Sequence, residues 1–375
     1  MNILAMSEDP IYIGTGGFTI GRVDNTIVRD PITRIPKIPG TSLAGTWRYY
    51  MTITLYSYFK EEYKKSRSKR SEVKKDNFTD LFIKDAKDWV KDIEGNRYAA
   101  IKCAGQDDES DKTVEESHKS DTGHCGSCIV CKTFGYSKKD KSERGMAYFS
   151  DLNILLFPVY TRLGTMWITS KDILCSAGID VEEPSEDRVI ILKGDIKTIN
   201  LGWLSLGAED NHDNKYDDTY KKIENYLEKF ETKDNHNDTC INTTGNNLGE
   251  NKGSKSQRSL QNIIPKEKII IVSDSIIAQI INSNLETRTS VSIDPITGAA
   301  KEKALFTSEA IPRGTIFYGN VRIEERPLLE KPEKEYVKDA LEESKKYFET
   351  LGIGGMITRG FGRLKIFDRG EENGN

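Results

Sequence analysis

Short β-type segments and amphipathic helical segments alternate along the whole chain of 375 residues. The stretches IYIGTGGFTI, AYFSDLNILLFPVY and KIIIVSD are typical of strands, whereas Leu43, Trp47 and Tyr50 recur at helical spacing. This alternation predicts an α+β fold with an antiparallel sheet and helices on one face. The sequence has no run of about 18 apolar residues, so a membrane-spanning helix is not expected.

The charge of the chain is unevenly placed. The formal net charge is −4, which taken alone argues against a nucleic-acid partner. Eleven acidic residues and five lysines lie between Gly207 and Glu250, so the rest of the chain carries about +2 and can still form a basic groove. The N-terminus lacks the basic and apolar parts of a signal peptide, and we therefore expect a cytoplasmic protein with no membrane partner.

Three cysteines crowd into HCGSCIVC. In a cytoplasmic protein such a cluster indicates a metal site rather than disulfides. Cys125, Cys128 and Cys131 are spaced so that their thiolates can converge on one zinc ion, which would be structural because four protein ligands leave no open position. Unmetallated thiols in a loop are the alternative. The candidates for the fourth ligand are Cys103, His118 and His124, and the spacing does not choose among them.

Two glycine-rich stretches could approach phosphate groups closely. The first contains Gly14, Gly16, Gly17 and Gly21, and no GK[ST] follows it, which argues against a nucleotide cradle. The second, GIGGMITRGFGRLKI, combines glycines with Arg359 and Arg363, which can neutralise phosphates. Each stretch can equally be a set of tight turns, and the residues alone leave both uses open.

Asp24 lies where a short hairpin would place it at the tip. An aspartate there is commonly a turn former. Its neighbours favour a second interpretation, a site in which cations bind phosphates while one carboxylate transfers a proton or coordinates a metal ion. The nearby cations are Arg22, Arg29, Arg34 and Arg48. All four histidines of the chain lie elsewhere, which disfavours a histidine-driven ribonuclease.

Taken in order, these segments resemble the RAMP superfamily of CRISPR-associated proteins. IGTGG…RVDNTIVRDPITRIPKIPGTSLAGTWR is similar to the signature of its type III backbone subunits, and SDLNILLFPVYTRLGTMWIT resembles central strands of the type III-B form. SIDPITGAAKEKALFTSEAIPRGTIF looks like the thumb hairpin of the family, GIGGMITRGFGRLKI its closing loop, and HCGSCIVCKTFG a zinc-binding insertion.

The resemblance implies one elaborated domain built on a ferredoxin-like, RRM-like palm. The palm would comprise 1–59, 146–204, 263–284 and 321–370. A helical, zinc-bearing insertion would occupy 60–145, a mobile polar insert 205–262, and a protruding thumb hairpin 285–320.

The resemblance also implies a function. The chain would bind a CRISPR guide RNA beside other copies of itself and other subunits of a type III effector complex. It would act as a metal-dependent endoribonuclease that cuts complementary single-stranded target RNA at regular intervals. Asp24 would be the catalytic carboxylate, with magnesium or manganese as the divalent cation. Besides this cation, the cofactor would be structural zinc held by Cys125, Cys128 and Cys131, with Cys103, His118 or His124 as the fourth ligand.

Residues expected on the RNA follow from the same resemblance. They are Gly17, Arg22, Arg29, Gly40, Ser42, Arg48, Arg288, Gly354, Gly355, Arg359 and Gly360. Ala44 stands where the family often has lysine, which predicts a weaker, salt-dependent grip on the guide.

Three alternatives remain open at this point. The chain can be a non-catalytic RNA-binding backbone subunit with Asp24 as a turn residue. It can be a standalone ribonuclease that processes precursor guide RNA, although no histidine lies near the N-terminal motif. It can also be a zinc-stabilised scaffold that binds only proteins.

Overall fold

A computed structural model of the protein describes most of the chain and divides it into two compact units. The described residues are 1–16, 23–64, 82–91, 126, 128–137, 142–185, 187–192, 196–210, 215–232, 258–259, 263–325 and 333–369. Unit 1 comprises Met1, Ile38–Leu152 and Asn320–Ile357. Unit 2 comprises Asn2–Lys37, Asn153–Gly319 and Thr358–Asn375.

The strands and helices follow the alternation of the sequence. The strands are β1 (Asn2–Ser7), β2 (Lys37–Ile38), β3 (Gly135–Ser137), β4 (Ser142–Arg144), β5 (Ala147–Phe149), β6 (Leu152–Thr161), β7 (Gly164–Ser170), β8 (Arg188–Ile191), β9 (Thr198–Leu201), β10 (Leu204–Ala208), β11 (Phe230–Thr232), β12 (Arg258–Ser259), β13 (Ile269–Val272), β14 (Glu286–Ile293), β15 (Ala300–Ala310), β16 (Ile316–Ile323) and β17 (Leu364–Arg369). The helices are α1 (Gly40–Ser57), α2 (Glu61–Lys64), α3 (Asp88–Lys91), α4 (Ile129–Phe134), α5 (Lys171–Ser176), α6 (Asp217–Glu228), α7 (Asp274–Ser283), α8 (Lys334–Ser344) and α9 (Tyr347–Thr350). Short 3₁₀ turns occupy Lys266–Lys268 and Ile357–Arg359.

Unit 1 is organised around α1. Leu43, Trp47 and Tyr50 lie on its buried face, as the helical spacing predicts. The indole N–H of Trp47 is 3.0 Å from Ser344 Oγ and also reaches the carbonyl of Leu341, so the buried polar atom of this large side chain is satisfied on α8. The Phe348 ring packs edge-on against Trp47. The core of the unit therefore consists of aromatic side chains held between α1, α8 and α9.

Unit 2 is built on a mixed sheet. The strand order is β12-β11-β17-β1-β16-β6-β7-β13-β8-β10-β9, with parallel pairing between β7 and β13 and between β8 and β10. β13 is buried along its whole length, which its unbroken IIIV run predicts for a strand covered on both faces. The side chains of β6, β13 and α6 meet in one apolar core that includes Leu155, Ile271 and Tyr220.

A long hairpin, β14–β15, pairs antiparallel from Glu286↔Ala310 to Ile293↔Ala300. The paired residues lie within 285–320, the range in which a thumb hairpin is expected. The even-numbered residues Glu286, Arg288 and Ser290 are half-buried, whereas Thr287, Thr289 and those beyond on the same face are exposed. The hairpin therefore carries two chemically different faces.

One expectation about the organisation of the chain requires correction. The mobile polar insert predicted over 205–262 is wrong for its first part, because β10 ends at Ala208 and α6 follows from Asp217. The high charge of α6 concealed a buried stripe formed by Tyr220, Ile223 and Leu227.

Among the described residues, none of the helices has both the length and the apolar character needed to cross a lipid bilayer.

Candidate RNA-cleavage site

Asp24 lies against the hairpin in unit 2. Its carboxylate Oδ2 accepts a hydrogen bond from the backbone N–H of Thr307 at 2.8 Å, and its own N–H donates to the Thr307 carbonyl at 3.0 Å. Asn25 continues this contact as a parallel bridge to Ser308, and the Glu309 N–H donates to the Asn25 carbonyl at 3.0 Å. The Asp24 residue is exposed to solvent. The segment thus presents an accessible carboxylate from a fixed position beside β15.

Arg29 holds the other end of the same segment. Its Nη2 is 2.9 Å from Glu309 Oε2, and its Nε donates to Asn282 Oδ1 at 2.8 Å. Nη1 donates to the Ile27 carbonyl at 3.1 Å. The prediction that Arg29 contacts RNA is not tested by these distances, but they show its guanidinium joining β15, α7 and its own segment.

Arg288 connects the hairpin to the closing glycine-rich loop. Its Nη1 donates to the Gly360 carbonyl at 3.1 Å, and its guanidinium carbon lies 4.7 Å from the centre of the Phe361 ring. Gly360 has φ +80°, a conformation that a residue with a side chain rarely adopts. The glycine therefore allows the turn that brings its carbonyl to Arg288. Arg359, beside it, is exposed.

Asp9 and Arg363 form a second ionic contact near this loop. Arg363 Nε and Nη2 donate to the two carboxylate oxygens of Asp9 at 2.5 and 2.9 Å. This hydrogen bond holds the pKa of Asp9 below its usual value and raises the pKa of Arg363. The sequence assigned Arg363 to phosphate neutralisation, whereas two of its nitrogens bind a carboxylate of the protein. Asp9 was missed because its partner lies 354 residues away.

In unit 1, Gly40 marks the predicted guide-binding end of α1. The N–H of Gly40 donates to Asp151 Oδ1 at 2.7 Å. A side-chain carbon at Gly40 would lie 2.7 Å from the Phe149 carbonyl oxygen, so only glycine fits there. Ser42 and Arg48 are half-buried on the same helix. Gly354 is exposed with φ +88°, and its neighbour Gly355 is half-buried.

Two of the proposed zinc ligands lie at the start of α4. Cys128 is the N-cap residue and Cys131 follows in the first turn, and both are buried. Among the described residues, no group of three or more His, Cys, Asp or Glu side chains could hold a metal ion. The other proposed ligands, Cys103, His124 and Cys125, lie outside the described residues, as do His118, Gly17 and Arg22.

The sequence matches one family model over residues 7–365, the model described as the RAMP superfamily. The chain belongs to the RAMP superfamily. A 40-residue segment of this RAMP protein is 58% identical to the "CRISPR system Cms endoribonuclease Csm3" of Mycobacterium tuberculosis (strain ATCC 25618 / H37Rv). The match covers 10% of this chain and 17% of that relative.

Solved structures match almost the whole length of the RAMP chain at low sequence identity. A crystal structure of Cmr4 matches with 16% identity and a TM-score of 0.49, covering 98% of each chain. Oligomeric Cmr4 from Pyrococcus furiosus matches with 17% identity and a TM-score of 0.49, covering 98% of this chain and 97% of that one. A chain of the type III-B Cmr-beta complex in its apo state matches with 13% identity and a TM-score of 0.49, covering 97% and 95%.

Proposed function

We propose that this RAMP protein is a guide-RNA-binding backbone subunit of a type III CRISPR interference complex. In that complex it cuts complementary target RNA, with Asp24 as the catalytic carboxylate. Membership of the superfamily and the 40-residue likeness to an endoribonuclease named Csm3 support this class of function. The palm, thumb and zinc-bearing insertion of the family are assigned as part of the same proposal, with β14–β15 as the thumb.

One observation carries the catalytic part of the proposal. Asp24 is exposed, and its carboxylate is oriented by the Thr307 N–H on β15. The same hairpin binds the glycine-rich closing loop through Arg288 and Gly360. A carboxylate, a cation and a glycine turn therefore all contact one hairpin. Groups of these kinds serve phosphate binding and proton transfer, which supports the proposal.

RNA supplies its own nucleophile for this reaction. A nucleotide turned out of its helix can place its 2′-hydroxyl in line with the adjacent phosphorus, and positioning of this kind provides much of a rate enhancement. The 2′-oxygen forms a bond to phosphorus while the bond to the 5′-oxygen breaks. The 2′-hydroxyl loses its proton and the departing 5′-oxygen gains one, which leaves a cyclic phosphate and a 5′-hydroxyl. Asp24 serves either as the acceptor of that first proton or as a ligand of a divalent cation.

A single carboxylate is compatible with a magnesium or manganese ion. Mg²⁺ commonly binds through one or two carboxylates and completes its coordination with substrate phosphates and water. Such a cation would neutralise charge at the phosphate during the reaction. Among the described residues Asp24 is the acid that we assign to it.

The guide RNA is held, in this proposal, by backbone N–H groups at glycine turns and by cations. Such contacts read the shape and charge of the strand, and base pairing reads its sequence. Arg288 also binds protein groups, so its contribution combines positioning with charge. Of the residues expected on the RNA, Arg29 is left out of the proposed contacts because its guanidinium binds Glu309 and Asn282. The proposed contacts are Gly17, Arg22, Gly40, Ser42, Arg48, Arg288, Gly354, Gly355, Arg359 and Gly360.

A non-catalytic backbone subunit is the second candidate. The hydrogen bond from the Thr307 N–H to Asp24 supports this candidate, because an aspartate with a purely structural role would make the same bond. The two candidates agree on guide binding and differ only in cleavage.

Affinity purification of the full chain with its native partners tests the proposal. We expect a guide RNA of discrete length and sister subunits to co-purify. The complex should then cut a complementary target RNA when magnesium or manganese is added and stop when the cation is chelated. Protein without RNA would contradict the proposed function. Guide RNA without target cleavage would support the non-catalytic subunit instead.

A further inference from the structure

The segment that carries Asp24 is attached to the hairpin at two points. At one point, Asp24 and Asn25 exchange backbone hydrogen bonds with Thr307 and Glu309 of β15. At the other, the Glu309 side chain receives Arg29 Nη2 at 2.9 Å and lies 3.5 Å from the Ile27 N–H. The attachment therefore uses both the backbone and the side chain of Glu309.

The second point is stiffer than an ordinary surface ion pair. The side chains of Arg29 and Glu309 are 24% and 14% exposed, so water screens their attraction less than it would at an open surface. Arg29 is held from a third direction by Asn282 of α7, and the Asn282 amide in turn donates to the Arg34 carbonyl at 3.1 Å. A planar guanidinium bound along several edges has little freedom to reorient.

We infer that Arg29 and Glu309 are positioning residues for the cleavage reaction. They fix the Asp24 carboxylate relative to the hairpin, so that the phosphate that is cut is determined by where the hairpin stands on the RNA. This inference rests on the proposed function. It assigns to Arg29 a role inside the protein, in place of the phosphate contact that the sequence suggested.

The physical reason is the sensitivity of catalysis to placement. A shift of about 1 Å in a reacting group can lower a rate by about 100-fold. Loss of the Arg29–Glu309 contact leaves the segment attached only through the backbone bonds of Asp24 and Asn25, so it can twist about that single attachment. The Asp24 carboxylate, whose Oδ2 accepts one hydrogen bond from the Thr307 N–H, then samples several orientations. We expect slower cleavage and cuts that spread over neighbouring phosphates.

The test uses the purified complex with its guide RNA and an end-labelled complementary target. The variants are Arg29→Gln, Glu309→Gln and the charge-exchanged pair Arg29→Glu with Glu309→Arg. Glu224→Gln is the matched control, because Glu224 forms a comparable 3.1 Å ion pair with Lys266 that touches neither the hairpin nor the Asp24 segment. Single-turnover rates and the positions of the cuts are measured together with the amount of guide RNA retained.

Each single variant should lower the cleavage rate by about 10-fold to 100-fold and broaden the cut positions, with guide RNA retained. The charge-exchanged pair should recover part of both losses, and the control should behave as wild type. Arg29→Lys keeps the positive charge but lacks the planar guanidinium with its several N–H donors. This variant should fold even if Arg29→Gln does not, and its cleavage rate should lie between those of wild type and Arg29→Gln.

Several results would overturn the inference. One is wild-type rates and cut positions in both single variants. Another is a set of single variants that cut more slowly but at the same positions as wild type, together with an exchanged pair that recovers none of the lost rate. If Asp24-dependent cleavage persists in the wild type under either result, the proposed function stands and only the positioning role fails. A wild-type complex that does not cut removes both.

Discussion

The carboxylate of Asp24 and the backbone N–H of Thr307 are joined by a 2.8 Å hydrogen bond between residues 283 positions apart in the sequence. A turn-forming role and a catalytic role both need this bond, but only the catalytic role needs the negative charge. Asn at this position keeps an oxygen acceptor and removes the charge.

We therefore predict that Asp24→Asn lowers target cleavage by about 100-fold or more while guide binding is unchanged. The free energy of unfolding should change by less than about 0.5 kcal/mol, because the residue is exposed and an acceptor remains. Asp24→Ala should cleave equally poorly and lose about 0.5–1.5 kcal/mol more stability, since the Thr307 N–H loses its acceptor. Chemical denaturation and single-turnover cleavage are the measurements. Normal cleavage by Asp24→Asn would make Asp24 a structural residue.

Gly40 provides a prediction about unit 1. Alanine there would place its side-chain carbon 2.7 Å from the Phe149 carbonyl oxygen and 3.0 Å from the Ser150 carbonyl carbon. Because backbone atoms cannot move away easily, we expect Gly40→Ala to cost about 1–3 kcal/mol of unfolding free energy.

Gly45 on the same helix is the matched control. A side-chain carbon at Gly45 meets nothing within 4 Å. Gly45→Ala should therefore stabilise the protein by about 0.5–1 kcal/mol, since glycine is a poor helix former. Equal effects of the two substitutions in a urea denaturation series would contradict the predicted contact at Gly40.

Asp30 leads to a prediction about pH. The N–H of Thr33 donates to its carboxylate, and Ile32 and Lys37 add further bonds, which lowers the pKa of Asp30 to about 2 from 3.8. A depressed pKa means that the contribution to stability is complete above the ordinary value and disappears as the pH falls through the folded value.

The stability difference between wild type and Asp30→Asn should therefore be constant from about pH 7 to pH 5 and shrink as the pH falls from about 4 towards 2. Because this carboxylate is partly exposed, we expect the difference at neutral pH to be about 1 kcal/mol. Denaturation at several pH values measures it. A difference that grows on acidification would contradict the assignment.

Local patterns predicted parts of the fold correctly. The helical spacing of Leu43, Trp47 and Tyr50 is found on α1, and the strand expected at KIIIVSD is β13. These features depend on residues within one or two turns of each other, so the sequence contains all the information needed.

The partners of the candidate site could not be predicted in the same way. Thr307 and Glu309 lie in β15, whose sequence is typical of one strand of a hairpin. The residues around them do not indicate that the segment near residue 24 pairs with this strand. Long-range pairing is decided by tertiary packing, for which a single sequence gives no direct signal. α6 is a different case, because its buried stripe was present in the sequence and was outweighed by its charge.

The two buried cysteines of α4 lead to a prediction about metal. Cys128 is the N-cap residue of the helix and Cys131 lies in its first turn, a spacing of three residues that suits two ligands of one zinc ion. We expect about one zinc ion per chain by elemental mass spectrometry, with loss of the metal and a lower melting temperature in Cys128→Ser and in Cys131→Ser.

Cys175 is the control for this experiment, because it is exposed on α5. Cys175→Ser should keep both the zinc and the melting temperature. Zinc content that is unchanged in all three variants, or absent from the wild type, would contradict the proposed site.

The exposed face of the β14–β15 hairpin leads to the last prediction. Val291 and Leu305 face each other across the two strands and are 45% and 66% exposed. Apolar side chains in such a position add little to the stability of the isolated chain, and an exposed apolar patch commonly marks a binding surface. If the hairpin, which we assign as the thumb, contacts the RNA through this face, these side chains become buried on binding.

Replacing both Val291 and Leu305 with serine should leave the free energy of unfolding within about 0.5 kcal/mol of wild type. Cleavage of a complementary target should slow by about 10-fold, because burial of one such side chain is worth about 1.5 kcal/mol or more. Leu163→Ser, which removes a 54% exposed leucine from the turn between β6 and β7, is the control and should cleave normally. Full cleavage by the double variant at subsaturating target would show that the hairpin acts without its apolar face, and the thumb assignment would then have to rest on its backbone and on Arg288.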